Sequence, residues 1–227
     1  MTSNTLIESP LLRRHAPYTL SGYALFRRII DEDGAISAKI KALLVAVAAA
    51  AKGRDALAKG ELERGAGLGL TLTEAVAGLI VLSSLRGEGA ALAFESLLAE
   101  VYVMPAESSS FSQIAVAEGE AEENFRSYFG TIPGPLEQML RLLPLGADAY
   151  YLMRRGSIDA NPLSPKNAEF LLLTILAADY SPMAKTHVRG ARNVGATDAE
   201  IAEAIICGIP AGGIAAWMGA APFLADA

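Results

Sequence analysis

The feature that most constrains this chain is a helix–turn–helix written twice. One copy reads Lys59-Gly60-Glu61-Leu62-Glu63-Arg64-Gly65-Ala66-Gly67-Leu68-Gly69-Leu70-Thr71-Leu72-Thr73-Glu74-Ala75. The other reads Lys185-Thr186-His187-Val188-Arg189-Gly190-Ala191-Arg192-Asn193-Val194-Gly195-Ala196-Thr197-Asp198-Ala199-Glu200-Ile201. Aligned, Lys59 falls on Lys185, Gly69 on Gly195, Thr71 on Thr197 and Glu74 on Glu200. A repeat fixes the architecture before any single helix is read. Each glycine supplies the left-handed residue that closes a helix. Each Thr-x-x-Glu is a capping box that opens the next one. The pattern predicts an all-α chain of two tandem helical repeats forming a pseudo-dimer.

The likeness continues upstream, where Ile36-Ser37-Ala38-Lys39 matches Leu163-Ser164-Pro165-Lys166. Ser164 ahead of Pro165 is a strong helix start, because proline fits the first helical position. The segments that follow, 43–51 and 170–178, are apolar nearly all round, the mark of a helix buried on most faces. The closing helices are rich in small residues, Gly87, Gly89, Ala90 and Ala91 in one copy and Gly212, Gly213, Ala215 and Ala216 in the other. Pro210, inside the last helix, is expected to bend it. Alternating apolar and polar runs are scarce, so no sheet is expected. The periodicities predict helices over 17–31, 37–51, 53–68, 72–103, 110–128, 133–155, 165–179, 182–194 and 198–219. The domain reading is an N-terminal arm over 1–16, a first repeat over 17–104, a linker with an acidic helix over 105–128 and a second repeat over 129–227. Pro105 to Ser110 reads as the connector, and the run from Glu118 to Glu123 as a solvated face.

The formal net charge of −6 leaves no basic footprint for nucleic acid. Nor is there a polybasic segment for a membrane surface. The longest unbroken apolar run, Ala42 to Ala51, falls short of the roughly 20 residues that span a bilayer. Met1 to Ser9 lacks the basic-then-apolar order of a secretory leader. With Cys207 as the single cysteine, a reducing cytoplasmic setting is expected. The chain is nonetheless 52% hydrophobic, an excess that points to large contacts between subunits. Two histidines, His15 and His187, and one cysteine offer no zinc spacing. There is no glycine-rich phosphate loop and no serine elbow either. Neither a metal nor an organic cofactor is expected.

The two copies differ where chemistry could reside, since His187 falls on Glu61. An imidazole with an ordinary pKa near 6.5 suits proton transfer at neutral pH. Glu169 lies within an apolar helix, where a carboxylate needs a partner. Arg189 and Arg192 follow His187 on the same helix, with Arg192 closer to its face, and are candidates to bind an anion. Tyr180 is a candidate hydrogen-bond donor. Glu61 with Arg64 is either a second site or the remnant of one on a solvated helix.

His187-Val188-Arg189-Gly190-Ala191 through Gly195-Ala196-Thr197 and Glu200-Ile201, preceded by Leu163-Ser164-Pro165-Lys166 and Glu169, resembles the carboxymuconolactone decarboxylase family. That family shares its fold with the alkylhydroperoxidase D-like proteins. Phe129-Gly130-Thr131-Ile132-Pro133 is similar to the segment that opens many family domains. The resemblance covers most of 129–220, and 20–103 more weakly through the repeat. In the family's redox branch a Cys-x-x-Cys pair precedes the histidine. Tyr180 and Met183 stand at those positions here, which puts peroxide reduction last among the readings. The non-redox branch implies a carboxy-lyase that decarboxylates a small carboxylated lactone, keto acid or ring-cleavage product without a cofactor. The resemblance then implies His187 as proton shuttle, Glu169 as its partner or a second acid, and Arg189 or Arg192 as anion clamp. Lactone hydrolysis and tautomerisation use the same groups. The alternative is a non-catalytic small-molecule-binding or scaffold subunit, which fits Glu61 in place of histidine and the missing cysteines. One-repeat relatives form hexameric rings, so a homotrimer of two-repeat chains is expected.

Overall fold

A computed structural model describes residues 6–106 and 110–225. Glu107, Ser108 and Ser109 of the expected connector lie outside the described residues. The described chain is helical throughout and contains no strand. In order, the helices are α1 (Pro10–His15), α2 (Pro17–Asp31), α3 (Ala38–Ala51), α4 (Asp55–Gly67), α5 (Leu72–Val101), α6 (Glu120–Phe129), α7 (Gly134–Leu142), α8 (Pro144–Ser157), α9 (Pro165–Ala178), α10 (Ala184–Asn193), α11 (Asp198–Ile206), α12 (Ile209–Gly212) and α13 (Ala215–Ala220). The chain divides into two compact units, one built from 1–104 with 161–227 and the other from 105–160.

The first unit centres on α3 and α9, which pack on each other. Helix α3 also packs on α4 and α5, and α9 on α10 and α11. Both central helices start on a serine cap. Ser37 accepts from the Ile40 N–H and Ser164 from the Asn167 N–H. From Ala42 to Ala49 every residue of α3 is fully buried. Alanine and valine keep that helix thin, so neighbours can crowd it on every side. Each flanking helix pair then closes with the same turn. Gly69 has φ +86° and Gly195 φ +84°, both in the left-handed region that favours glycine. Thr71 and Thr197 each complete a capping box with the glutamate three residues on. Lys39 holds Glu74 at 2.7 Å and Lys166 holds Glu200 at 2.6 Å, tying each box to the start of a central helix.

The closing helices depart from the expected continuous rods. Helix α5 carries a break at Gly87 (φ +76°, ψ −174°). The expected helix over 198–219 is three helices, α11 to α13, interrupted at Gly213 with nearly the same angles (φ +71°, ψ −177°). Pro210 does not bend a helix interior but sits in the first turn of α12, where its missing N–H costs nothing. Helix α5 reaches the length and apolar composition of a membrane-crossing helix, which the count of unbroken apolar residues missed. Its Ala75, Gly78, Leu82 and Phe94 are buried within the first unit, and α5 packs on α3, α4 and α9.

The second unit contains α6, α7 and α8 around Phe125, Ala147 and Tyr151. The helix expected over 133–155 is two helices, because Pro144 forces Leu143 out of the helical region (φ −146°, ψ 67°). The acidic helix is shorter than expected, starting at Glu120 after a left-handed Gly119. Glu120 accepts from the Tyr151 hydroxyl at 2.6 Å and from the Ala117 N–H at 3.0 Å. These bonds hold its carboxyl below the ordinary range. The Arg154 guanidinium stacks 3.8 Å from the Tyr128 ring centroid.

Candidate functional site

Glu169 and His187 face each other between α9 and α10. Glu169 is 1% exposed, five residues after the Ser164 cap. Burying a carboxylate among leucines and alanines is costly unless the charge is met. His187 meets it, with Nδ1 2.7 Å from Glu169 Oε2. A carboxylate can only accept, so Nδ1 donates to Glu169 and Nε2 is the ring nitrogen that remains. Nε2 makes no hydrogen bond among the described residues. The structure therefore brings together the two residues nominated from sequence as a dyad: a buried acid fixes one ring nitrogen, and the other is left for a ligand.

The equivalent place in the other repeat is wired differently. Glu61, in the position of His187, is 3% exposed. Both of its oxygens accept from guanidinium groups, Oε1 from Arg27 Nη1 at 2.7 Å and Oε2 from Arg64 Nε at 2.8 Å. Arg27 also donates to both oxygens of Asp31. Burial alone would lower the Arg27 pKa, but the Glu61 and Asp31 carboxylates outweigh it and hold the guanidinium firmly charged. The expectation of a solvated remnant at Glu61 is corrected here: the acid is buried at the centre of an ion-pair cluster. Arg27 was not singled out from sequence. The available signal was Arg27 and Asp31 at helical i, i+4 spacing on an otherwise amphipathic segment.

The expected anion clamp is not assembled from Arg192. Its guanidinium binds Asp198 Oδ1 at 2.9 Å and the Leu224 carbonyl at 2.7 Å, pinning the C-terminal turn to α10 and α11. Arg189 is an exposed residue of α10. Tyr180 follows α9 with φ +58°, a left-handed conformation that Gly53 (φ +64°) adopts in the equivalent turn after α3. Its hydroxyl donates to the Gly212 carbonyl, and Lys52 Nζ lies 5.2 Å over its ring. The phenol proton is thus committed to the backbone. Met183, at the second position of the pair that is cysteine in redox relatives, is half exposed. Cys207 is fully buried on the far side of the turn, and burial pushes its thiol far above the usual range.

A second buried charge was also missed in the sequence. Lys41 is 1% exposed on α3 and donates to the Ile29 carbonyl at 2.6 Å and to Glu203 at 3.1 Å. Glu203 further accepts from the N–H groups of Ala35 and Ile36, each at 2.9 Å. A shallow cleft lined by Arg28, Ile29, Glu32, Asp33, Gly34 and Glu203 opens beside this latch and includes none of the candidate site residues. Among the described residues, no three histidine, cysteine or acidic side chains gather as a metal site.

No curated protein matches the chain in sequence. A family model does match it, over residues 144–226, and that span holds both Glu169 and His187 together with the second copy of the repeated turn. That stretch of the chain is similar to the carboxymuconolactone decarboxylase family.

Proposed function

We propose that this protein is a cofactor-independent enzyme that moves a proton at carbon in a small carboxylated lactone, keto acid or ring-cleavage product, with decarboxylation as its reaction. The observation that carries this reading is the 2.7 Å contact between buried Glu169 and His187 Nδ1. In such a reaction the bond from carbon to the substrate carboxylate breaks and its electron pair moves into the adjoining carbonyl or unsaturated system. Carbon dioxide leaves, and the protonated Nε2 of His187 delivers its proton to the carbon. Glu169 then faces an imidazole that has passed from cation to neutral ring without having to turn. A positioned acid of this kind contributes typically 10²- to 10⁴-fold.

Two features support proton rather than redox chemistry. The chain has a single cysteine, and it is buried with a thiol held far above the usual range. Tyr180 and Met183 replace the pair that a peroxide-reducing member needs. Arg189, exposed on α10 two residues beyond His187, is a candidate to meet the substrate carboxylate. The test is turnover of a panel of carboxylated lactones and keto acids by the native protein and by His187→Gln. The expected result is a drop of roughly 10²- to 10⁴-fold with the fold intact. Unchanged turnover in that variant removes His187 from the chemistry, and ligand binding without turnover across the panel favours a non-catalytic binding subunit instead.

A further inference from the structure

We infer that Gly190 is the positioning residue of the dyad: only the absence of a side chain there admits the Glu169 carboxylate to its seat beside His187. Gly190 is buried on α10, one turn beyond His187. A β-carbon built on it would lie 2.6 Å from Glu169 Oε1, 2.7 Å from Cδ and 2.8 Å from Oε2. All three separations are shorter than non-bonded atoms accept. The displaced group is the tip of a flexible side chain and not backbone, so the carboxylate would yield and the helix pair would stay. The loss would fall on the 2.7 Å contact with Nδ1.

The other repeat shows the complementary solution. Arg64 stands three residues after Glu61, as Gly190 stands after His187. Ala42 stands five residues after the Ser37 cap, as Glu169 does after Ser164. Where α3 carries alanine, α4 carries an arginine whose guanidinium donates to Glu61. Where α9 offers a carboxylate, α10 leaves the space empty. A glycine in mid-helix is otherwise unfavourable relative to alanine. Nothing in the first repeat requires a glycine at this register, since Arg64 occupies it.

The inference rests on the reading of the Glu169–His187 pair as the working dyad, but its test needs no substrate. In a His15→Gln background His187 is the chain's remaining histidine, so its ring resonances are read without assignment. The unmodified dyad is expected to show a downfield, slowly exchanging Nδ1 proton and the ring nitrogen shifts of an Nδ1–H tautomer. Gly190→Ala is expected to abolish that resonance. In a Glu169→Ala background the same change is expected to raise the thermal midpoint by roughly 2–4 °C, because the space is then vacant and alanine is the better helix former. Persistence of the Nδ1 resonance in Gly190→Ala overturns the inference, as does its absence from the unmodified protein. A fall in midpoint on Gly190→Ala in the Glu169→Ala background also overturns it, since the glycine would then serve backbone packing. Should Gly190→Ala alone fail to fold, the Glu169→Ala pair decides. Loss of the resonance with undiminished turnover would leave the role of Gly190 standing and defeat the proposed reaction.

Discussion

Arg27 Nη1 lies 2.7 Å from Glu61 Oε1, with both side chains 4% exposed, at the position where the other copy of the repeat orients an imidazole. One scaffold thus supports two uses of a buried carboxylate. On α9 the acid comes from the central helix and holds a titratable ring. On α4 it comes from the flanking helix and is neutralised from two sides by arginines. In the second arrangement both oxygens are engaged by guanidinium groups, which is why the proposed chemistry is placed at the His187 copy.

Replacing Glu61 by Gln is accordingly expected to cost stability and spare activity. It leaves Arg27 buried with Asp31 alone, and breaking a buried ion pair by removing one partner costs about 3–5 kcal/mol. The double change Arg27→Met with Glu61→Leu removes both charges and is expected to recover most of that loss. Urea unfolding of the three variants checks the order. Turnover per folded molecule should stay within about twofold, well below the loss expected of His187→Gln.

Tyr180 separates strain from recognition. A left-handed tyrosine costs about 1–2 kcal/mol relative to glycine, and the structure offsets this with the hydrogen bond to Gly212 and the Lys52 contact. Tyr180→Phe keeps the strain and loses the bond, so a loss of about 1 kcal/mol is expected. Tyr180→Gly relieves the strain and loses both contacts, so its stability should be close to the parent's. If Tyr180 also touches substrate, as the sequence suggests, both variants raise KM more than they lower kcat. Denaturant unfolding and steady-state kinetics on the same preparations distinguish the two roles.

The turns were the most legible part of this fold. Gly69, Thr71 and Glu74 and their partners Gly195, Thr197 and Glu200 act locally, so their residue types alone announced the caps that the structure contains. The helix expected over 165–179 likewise starts where Pro165 allows and ends at Ala178. Helix interruptions were less legible. In the sequence Gly87 and Gly213 read as small packing residues, and only their backbone angles reveal them as breaks. The break at Pro144 is not visible in the periodicity that predicts a helix over 133–155. At the site, His187 stood out by rarity and Glu169 by its apolar setting, and they do meet. The partners of Arg192 were hidden because Leu224 contributes a carbonyl, which no side-chain pattern encodes. Burial of Glu61 was hidden for a related reason: Arg27 lies on a helix outside the repeated segment.

Acid should loosen the first unit in a predictable window. Burial would raise the Glu203 pKa, but the Ile36 and Ala35 N–H groups and Lys41 outweigh it and set it below the ordinary glutamate value of 4.5. Glu74 and Glu200 are likewise lowered, the lysine and threonine partners of each outweighing burial. Each group binds its proton more weakly when folded than when unfolded. Its contribution is therefore complete above about pH 5 and is lost as pH falls through 4.5 toward the folded value. Glu203→Gln should be less stable at pH 7 and show a flatter decline between pH 5 and 3 than the parent. Equal slopes in thermal unfolding across that range would show that Glu203 carries no such linkage.

Assembly is the remaining expectation, and the surface supplies a reason for it. Leu68 is 48% exposed and Val194, its counterpart after the repeated helix, 40%. Leu92 is 61% exposed and Met218, in the matching place beyond the glycine break, 67%. Scattered apolar side chains on a surface need no explanation, but the same places exposed in both copies do. Equivalent apolar side chains are thus exposed in both copies, and a cyclic assembly is a closed arrangement able to cover them. We propose a homotrimer, expected in light scattering at about three times the chain mass of 23.7 kDa. Introducing lysine at Leu92 or Met218 buries an unpaired charge in such a contact and should shift the particle toward the monomer. The helical content should stay unchanged, because neither side chain belongs to the buried core. A parent protein that runs as a monodisperse monomer at micromolar concentration, with Leu92→Lys and Met218→Lys indistinguishable from it, would end the trimer proposal and leave these residues as ordinary surface.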